Sequence, residues 1–369
     1  MSRERIAGAA ADAGAARTML TDRLARAAAT RHSPWARLVS RIAWRGIQAL
    51  PLLVGVLTIT FVVTRKLGDP IAQIAGPGAT LEDVQAIRDQ LGLNRPLWDQ
   101  YWTYLGDLAH GDLGRSLVTS RPVLHEIGER VGGTLELIVL GTAAAALWGV
   151  VLGALSVYLR RSGKLFHGLA VVGLAIPDFV LGLVLGLVFA FKLGWAPAPV
   201  GQIDLAATPP PTKTGGVALD ALLAGQWDAF GSAIGFLVLP VLTLGLIYGA
   251  PIAKLAEAAF EETRRQPFIE FAELAGLSRA RVFLYTLRNA LPAVLTLSGV
   301  IAGYLVGGIV LVEIVFSWGG LGQWAASSIL AIDLPAIQAF VLIAGVYTLV
   351  IYLLLDVAYG IIDPRVRTA

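Results

Sequence analysis

The sequence of 369 residues contains no cysteine, which excludes both disulfide bonds and thiolate metal sites. Its four histidines are scattered, and none has the spacing of a metal-ligand set: His32, His110, His125 and His167. Charged residues make up only 15% of the chain, and they form no acid–base or nucleophilic set. We therefore expect no catalytic residue, no metal site and no cofactor. No nucleic-acid partner is expected either.

Apolar sequence, in contrast, is abundant. Hydrophobic residues make up 56% of the chain and the mean hydropathy is +0.69, too apolar for a soluble protein of this length. A helix needs about 20 mostly apolar residues to cross the hydrocarbon core of a bilayer. Six stretches qualify, at residues 44–64, 134–158, 165–191, 232–253, 290–312 and 335–360. The sequence predicts an all-α polytopic protein with six transmembrane helices in a lipid bilayer.

Clusters of basic residues indicate the orientation of these spans. Residues 1–41 carry eight arginines against three acidic residues, and the turn 158–165 and the C-terminal tail are also basic. These regions share one side of a six-span topology, so both termini are predicted to be cytoplasmic. Residues 1–40 form a cytoplasmic N-terminal extension without the apolar stretch of a cleavable signal. It is either a mobile tail or a basic helix on the inner leaflet that begins at Ser33-Pro34.

The two predicted external segments differ in character. Residues 65–133 are too many for a hairpin, and Thr80 with the acidic residues after it is typical of a capped helix that runs to Gly92. A second helix, rich in Trp and Tyr, is predicted at residues 96–110, either at the membrane–water boundary or as a packed lid without a ligand role. Residues 193–231 are rich in proline and glycine, which favours an extended, irregular loop without an assigned role.

The most polar internal stretch lies between the fourth and fifth spans. Residues 254–289 carry eleven formal charges, and their pattern predicts a short helix that ends at a glycine in the left-handed conformation. The helical pattern restarts at Ser278. We expect this short helix to bind a soluble partner, with Phe271 as its apolar anchor. The candidate coupling residues are Glu270, Phe271, Ala272, Glu273 and Gly276.

Small residues recur at helix-contact spacing inside the predicted spans. The sets are Gly149 with Gly153, Gly182 with Gly186, and Gly299 with Gly303 and Gly307. Tight helix packing is the main interpretation, and a translocation pathway beside the Gly299–Gly307 face is the alternative. Glu313 is either a gate or substrate residue or a hydrogen-bonded structural acid, and Glu136 has the same two interpretations. Pro177 and Pro240 are expected to kink the third and fourth spans.

Several sequence runs match one protein family in order. The external motif residues are Gly68, Asp69 and Pro70 after the first span, then Gly111, Asp112 and Gly114 at the end of the run LGLNRPLWDQYWTYLGDLAHGDLGRS. The run TLEL opens the second span, and LRNAL, EIVFSWGGLG and DPRVR follow later in the chain. Taken together over about residues 40–367, these runs resemble the permease subunits of dipeptide, oligopeptide and nickel ABC importers. The 254–289 segment resembles their EAA loop, which docks on the ATPase subunit.

The resemblance implies a type I ABC importer permease fold for residues 41–367, with an external helical insertion between the first and second helices, in the bacterial inner membrane. It implies a machine of two permeases, which are homologues or identical copies, two ATP-binding subunits and an external substrate-binding protein. The sequence has no Gly-rich phosphate loop, so ATP hydrolysis is expected on separate subunits. Glu270 and Glu273 stand where the family has a basic run, which predicts a basic groove on the ATPase partner.

The substrate and two rival mechanisms stay open in the sequence. Di- or oligopeptides are the expected substrates because the external runs resemble the peptide branch of the family, and nickel or another small solute is the alternative. An ion-coupled secondary carrier would keep paired ionisable groups at mid-membrane, whereas the span centres here are almost free of charge. A structural scaffold is disfavoured by the Gly- and Pro-interrupted spans.

Overall fold

The computed structural model describes residues 34–67, 71, 80–90, 92–159 and 163–362. All the long regular elements in these ranges are helices. They are α1 Pro34–Leu67, α2 Leu81–Gln90, α3 Leu97–Ala109, α4 Val123–Tyr158, α5 Gly163–Gly173, α6 Asp178–Leu185, α7 Val217–Ala224, α8 Trp227–Arg264, α9 Pro267–Leu274, α10 Arg279–Gly308, α11 Val310–Val315, α12 Leu321–Leu330 and α13 Leu334–Ile362. A seven-residue π-helix, Gly186–Lys192, follows α6. The predicted all-α fold is confirmed.

The chain divides into two compact units. One contains residues 52–355 and holds the hydrophobic core, the candidate site and every contact described below. The other contains residues 1–51 and 356–369, of which the structure describes the first half of α1 and the last turns of α13. Helix α1 begins at Pro34, where the sequence predicts a helix start. The remainder of the predicted N-terminal extension lies outside the described residues.

Five helices in the described ranges are long and apolar enough to cross a membrane. They are residues 44–66 of α1, the whole of α4, α8 and α10, and residues 334–355 of α13. These five correspond to five of the six predicted spans. The third predicted span, residues 165–191, is divided into α5, α6 and the π-helix, with a non-helical turn before Pro177. Proline lacks the N–H that an uninterrupted helix requires, and the six-span count stays a prediction.

Helices α4 and α8 form the centre of the bundle and approach each other closely. A Cβ added at Gly149 would lie 2.5 Å from Ile252, and one at Gly153 would lie 2.7 Å from the Cβ of Ala256. Real side chains do not tolerate such distances, so the glycines permit the backbones to come together. The packing interpretation of this pair is confirmed. Helix α8 also continues through Pro240 without interruption.

In the other two predicted small-residue sets, some glycines lie against a neighbouring side chain and others have no atom near them. A Cβ at Gly182 would lie 3.2 Å from the ring of Phe316, which directly follows α11, whereas a Cβ at Gly186 would meet no atom within 4 Å. On α10, a Cβ at Gly299 would overlap Leu355 of α13, and one at Gly303 would lie 3.5 Å from Ile351. A Cβ at Gly307 would meet no atom within 4 Å, and this residue is exposed. The face therefore packs against α13 at one end and is open at the other.

The bundle has two ends, named here after the helices that they carry. The α12 end includes the start of α4, where Trp324 of α12 donates from Nε1 to Glu126 at 2.7 Å. The α9 end includes the last turn of α4, where the ring of Tyr158 makes edge contacts with Phe260 and Phe283. Thus α8 runs from the α12 end to the α9 end, and α10 runs back.

Helices α2 and α3 occupy the predicted external segment and lie within two residues of their predicted bounds. The start of α2 is a capping box, in which the N–H of Asp83 donates to the hydroxyl of Thr80 and the N–H of Thr80 donates to the carboxylate of Asp83. The hydroxyl and N–H of Thr80 lower the pKa of Asp83. Helix α3 lies along α1, since the hydroxyls of Tyr101 and Thr58 are 2.6 Å apart and the Tyr101 ring contacts Phe61.

The predicted irregular loop at residues 193–231 contains a helix, α7, so that prediction is wrong for residues 217–224. The carboxylate of Asp220, in the first turn of α7, accepts the backbone N–H groups of Lys213, Thr214 and Gly215. One buried acidic side chain therefore holds the Pro- and Gly-rich stretch that precedes the helix. The Pro- and Gly-rich composition of the segment does not indicate this helix.

Candidate functional site

Helix α9 connects the last turn of α8 to the first turn of α10. It begins at Pro267, because a proline suits the first helical position. Gly276 has φ +74° and its N–H donates to the carbonyl of Glu273 at 3.0 Å. The N–H of Leu277 donates to the carbonyl of Ala272 at 3.1 Å. These two hydrogen bonds define a Schellman motif, which confirms the predicted helix ended by a left-handed glycine.

The inward face of α9 fixes the helix to the start of α10. Ile269 is 1% exposed and Ala272 is 6% exposed, and both pack against Val282 of α10. Leu277 completes this small apolar cluster. The sequence places Ala272 among the candidate coupling residues, but its side chain is buried in the protein. It can act on a partner only by holding α9 in place.

The outward face of α9 is apolar and exposed. Phe271 is 72% exposed and Leu274 is 82% exposed, and Phe268 one turn earlier is 45% exposed. Residues three apart in a helix share a face, so these three side chains form a continuous apolar ridge. Glu270 and Glu273 are exposed beside it. An exposed apolar ridge flanked by acidic groups is the composition of a protein-docking surface.

An aromatic cluster links the two long helices next to α9. The rings of Phe260 in α8 and Phe283 in α10 are stacked with centroids 6.2 Å apart, and Tyr158 of α4 contacts both. The guanidinium of Arg264 lies over the Tyr158 ring at 5.1 Å. Phe260 is fully buried. The cluster therefore packs the ends of α8 and α10 against each other beside α9.

The predicted external motif forms a turn at the α12 end. Gly111 has φ +81° and follows the last turn of α3, and Gly114 has φ +77°. The carboxylate of Asp112 accepts the N–H of Gly114 at 2.8 Å. The carbonyl of Gly114 accepts the N–H of Val123, the first residue of α4. These residues position the entry into α4, and the other half of the motif, residues 68–70, lies outside the described residues.

Glu313 lies at the α12 end and is fully buried. Its carboxylate accepts the hydroxyl of Thr134 at 2.6 Å and the N–H of Gln323 at 2.9 Å, and it also accepts the N–H of Gly322. The same hydroxyl of Thr134 accepts the N–H of Leu321 at 2.8 Å. These three N–H groups are the first of α12, whose N-cap, a glycine, offers no side chain. The geometry is that of a hydrogen-bonded structural acid, the second of the two interpretations.

Glu136 performs the same task for α7. The N-cap of α7 is again a glycine, Gly216, and the carboxylate of Glu136 accepts the N–H of Leu219 at 2.7 Å. A carboxylate at a helix N-terminus is stabilised by the helix dipole and satisfies N–H groups that have no intrahelical partner. Gln202 then connects the two capped helices, because its side chain reaches both the carbonyl of Trp318 and the N–H of Val217.

Two further acidic residues hold the α12 end together, and the sequence analysis missed both. Glu126 is 1% exposed and accepts hydrogen bonds from Trp324 and from Thr119. Asp333 is 2% exposed and accepts the hydroxyl of Ser116 and the N–H of Leu117. Asp333 precedes a Leu-Pro pair, which is a helix-start signal that could have been noticed. No comparable signal precedes Glu126. Within the described residues, no group of three His, Cys, Asp or Glu side chains could hold a metal ion.

Two protein-family models match the chain. Residues 145–368 match the binding-protein-dependent transport system inner membrane component, and residues 38–138 match the N-terminal part of such membrane components. The di/tripeptide transport system permease of Pseudomonas aeruginosa is 37% identical over 336 residues, which cover 89% of this chain and 99% of the relative.

A probable D,D-dipeptide transport system permease of Escherichia coli K12 is 38% identical over 319 residues, 85% of this chain and 94% of the relative. The glutathione transport system permease of the same strain is 33% identical over 334 residues, 89% and 99% of the two chains. The chain therefore belongs to the family of binding-protein-dependent transport system inner membrane components.

Proposed function

We propose that this chain is one of two permease subunits of an ATP-driven importer that carries di- or oligopeptides. The observation that supports this best is the apolar ridge on α9, a rigid surface between two membrane-length helices. An ion-driven carrier does not require such a surface, because no partner drives it. The family depends on a binding protein and on ATPase subunits for transport, and the permease itself is not an enzyme. The second permease, a homologue or an identical copy, completes the pathway.

Peptides are the substrates that the relatives support. Di- and tripeptides, D,D-dipeptides and glutathione appear in their names, and each is a short peptide. Nickel, the alternative from the sequence, has no support in these relatives.

The orientation follows from the distribution of charge. The α9 end carries α5, and the turn before α5 is basic, as are both termini. This end therefore faces the cytoplasm under the positive-inside rule. The α12 end then faces outward, and α2, α3 and the exposed turn at Gly319 form part of the rim that meets the binding protein.

Energy coupling uses α9 as a lever. Closure of the ATPase pair displaces the ridge at Phe271, and Ile269 and Ala272 transmit that displacement to α10. The aromatic cluster of Phe260 and Phe283 carries α8 with it, so both helices tilt relative to α4. Rigid-body motion of packed helices is an established way to alternate access.

Uptake by the purified complex tests the function. The chain is co-expressed with its partner permease, ATPase subunits and binding protein and reconstituted into vesicles that contain ATP. We expect a labelled dipeptide to accumulate only when the binding protein and internal ATP are both present. A catalytically inactive ATPase is the matched control. Accumulation driven by a proton or sodium gradient without ATP, or uptake of nickel but no peptide, contradicts the proposal.

A further inference from the structure

Asp178 is an acidic residue in the middle of the third predicted span. It is the first residue of α6, directly after the break at Pro177, and its side chain is partly buried. A carboxylate at this depth is unfavourable unless it has partners or a function. Helices broken at mid-membrane are also where membrane transporters place polar binding groups. The N-terminal dipole of α6 favours an acidic residue at this first position.

One tyrosine from another helix contacts this carboxylate, and a second tyrosine lies next to the first. The hydroxyl of Tyr248, near the middle of the 38-residue α8, donates to Asp178 at 3.3 Å. The ring of Tyr304 in α10 is 6.5 Å from the ring of Tyr248. Gly308 permits this approach, since a Cβ there would lie 2.9 Å from the Tyr248 hydroxyl and 3.2 Å from the Tyr304 ring. Three helices thus bring one carboxylate and two phenols together.

The cluster is open on one side. Tyr304 is 67% exposed and the neighbouring Gly307 is exposed with no atom near its Cβ position. This is the open end of the Gly299–Gly307 face. The cluster is therefore accessible along the face of α10 that carries Tyr304 and Gly307.

Asp178 has no cationic partner among the described residues. Its other carboxylate oxygen accepts only the N–H of the adjacent Phe179 at 2.8 Å. Lys254, the next basic residue along α8 after Tyr248, is exposed and makes no ion pair with it. The hydrogen bond from Tyr248 is long for an O–H donor, which is weak compensation for a negative charge. The carboxylate therefore has two hydrogen-bond donors and the N-terminal dipole of α6 beside it, but no cation among the described residues.

We propose that Asp178, Tyr248 and Tyr304 form a subsite of the translocation pathway that receives the primary ammonium group of a peptide. An ammonium group supplies three donors and a positive charge, which the carboxylate and the phenol oxygens accept. Tyrosine ring faces attract the same cation. The proposal rests on the proposed function, since it assigns one group of the peptide to one place in the pathway. A carboxylate end of the peptide is repelled there.

Charged thiol reagents test the subsite without requiring transport. The chain has no cysteine, so Tyr304→Cys in the assembled complex gives a single reactive thiol on this subunit. We expect a trimethylammonium methanethiosulfonate to react at least fivefold faster than the sulfonate analogue, after correction for their rates with a free thiol. Asp178→Asn should abolish that preference. Leu330→Cys, exposed at the α12 end, is the control at which Asp178→Asn changes nothing.

Transport with three substitutions separates charge from structure. Asp178→Asn retains the shape and the acceptor for Phe179, so a merely structural role predicts near-normal uptake for Asn and a loss for Ala. Our proposal predicts at least a tenfold loss of dipeptide uptake per ATP for both Asn and Ala, with partial recovery in Asp178→Glu.

The outcomes distinguish this subsite from the function on which it rests. If the wild-type complex carries no peptide, the proposed function fails, and the thiol assay still reports on cation selectivity. If the wild type carries peptide and Asp178→Asn carries it equally well, the subsite is refuted and the function stands. Equal labelling by both reagents, or no labelling with or without ATP, also overturns the subsite.

Discussion

The hydroxyl of Thr134 donates to the carboxylate of Glu313 at 2.6 Å and joins two residues that are 179 positions apart. This contact seats the start of α12 on α4, because the two side chains between them accept the first three N–H groups of α12. The α12 end is therefore held by buried polar contacts, whereas the central bundle is held by close apolar packing. Such contacts specify one arrangement, since breaking one leaves several groups unsatisfied.

Glu313→Ala should destabilise the protein more than Glu313→Gln does. Alanine leaves the N–H groups of Gly322 and Gln323 and the hydroxyl of Thr134 without their acceptor, at a cost of about 1–3 kcal/mol for each buried group left unpaired. Glutamine retains an acceptor oxygen. We expect thermal unfolding of the purified complex to occur roughly 5 °C lower for Ala, with a much smaller shift for Gln.

Glu129→Ala is the matched control for this experiment. Glu129 is partly exposed and pairs with Arg121 at the surface, so its loss should shift the unfolding temperature little. If Glu313→Ala unfolds at the wild-type temperature but has lost transport, Glu313 acts as a gate or substrate residue, and the structural interpretation is wrong.

Cysteine labelling in intact cells should report the orientation. Val118 is exposed at the α12 end and Ser278 is exposed at the α9 end. A membrane-impermeant maleimide should label Val118→Cys without disruption of the cells and should label Ser278→Cys only after permeabilisation. The physical reason is the basic charge that surrounds the α9 end. The opposite pattern would reverse the topology and remove α9 from the reach of a cytoplasmic ATPase.

Charge reversal on α9 should weaken docking in a salt-dependent way. Glu270→Lys with Glu273→Lys places two positive charges beside the ridge, opposite the basic groove expected on the ATPase. Exposed charges contribute about 0.2–1 kcal/mol each, so we expect roughly a twofold to thirtyfold loss of affinity at low ionic strength.

The loss from charge reversal should shrink as salt screens the charges. Affinity of the detergent-solubilised permease for the ATPase, measured across a salt series, gives the result. Glu82→Lys, at an exposed position of α2 in the predicted external segment, is the control. Tighter binding by the double variant would indicate an acidic groove instead.

Elements set by local rules could be predicted from the sequence. The end of α9 follows from one glycine that must be left-handed, and the start of α2 follows from a capping box between residues three apart. The bounds of α3 and the presence of the long apolar helices also follow from composition and period, but α4 and α10 each begin 11 residues before the predicted span. The outward position of Phe271 was predicted as well, while Ala272 turned out to face inward, because only the contact with Val282 decides which side of so short a helix is buried.

The parts that could not be predicted depend on contacts between distant residues. Glu136 and Glu313 each cap a helix whose own N-cap is glycine. Glu136 accepts an N–H group 83 positions later in the chain, and Glu313 accepts one 10 positions later. Nothing local to Glu136 indicates this role. Likewise α7 follows a Pro-rich stretch whose composition predicts a loop. The order of this stretch depends on Asp220, which accepts N–H groups from it. A proline at residue 177 signals a kink, but whether a helix bends or ends there depends on its neighbours.

The central claim is that α9 couples this permease to ATP hydrolysis, and two substitutions on α9 test it. Phe271→Ala removes the centre of the exposed ridge, where a single aromatic commonly dominates an interface. Gly276→Val forces a β-branched residue into φ +74°, which costs about 1–3 kcal/mol. No atom lies within 4 Å of a Cβ at this position, so the effect is one of backbone strain alone. Gly276→Asn is the matched control, because asparagine tolerates the left-handed conformation.

Simultaneous measurement of dipeptide uptake and ATP hydrolysis in vesicles, with purified partner subunits and binding protein, is the most direct test. The account predicts normal insertion for all three variants and near-normal coupling for Gly276→Asn. It predicts at least a tenfold loss of uptake for Phe271→Ala and Gly276→Val, through weaker ATPase association or hydrolysis without transport. Full uptake with normal ATP use by both Phe271→Ala and Gly276→Val would contradict it.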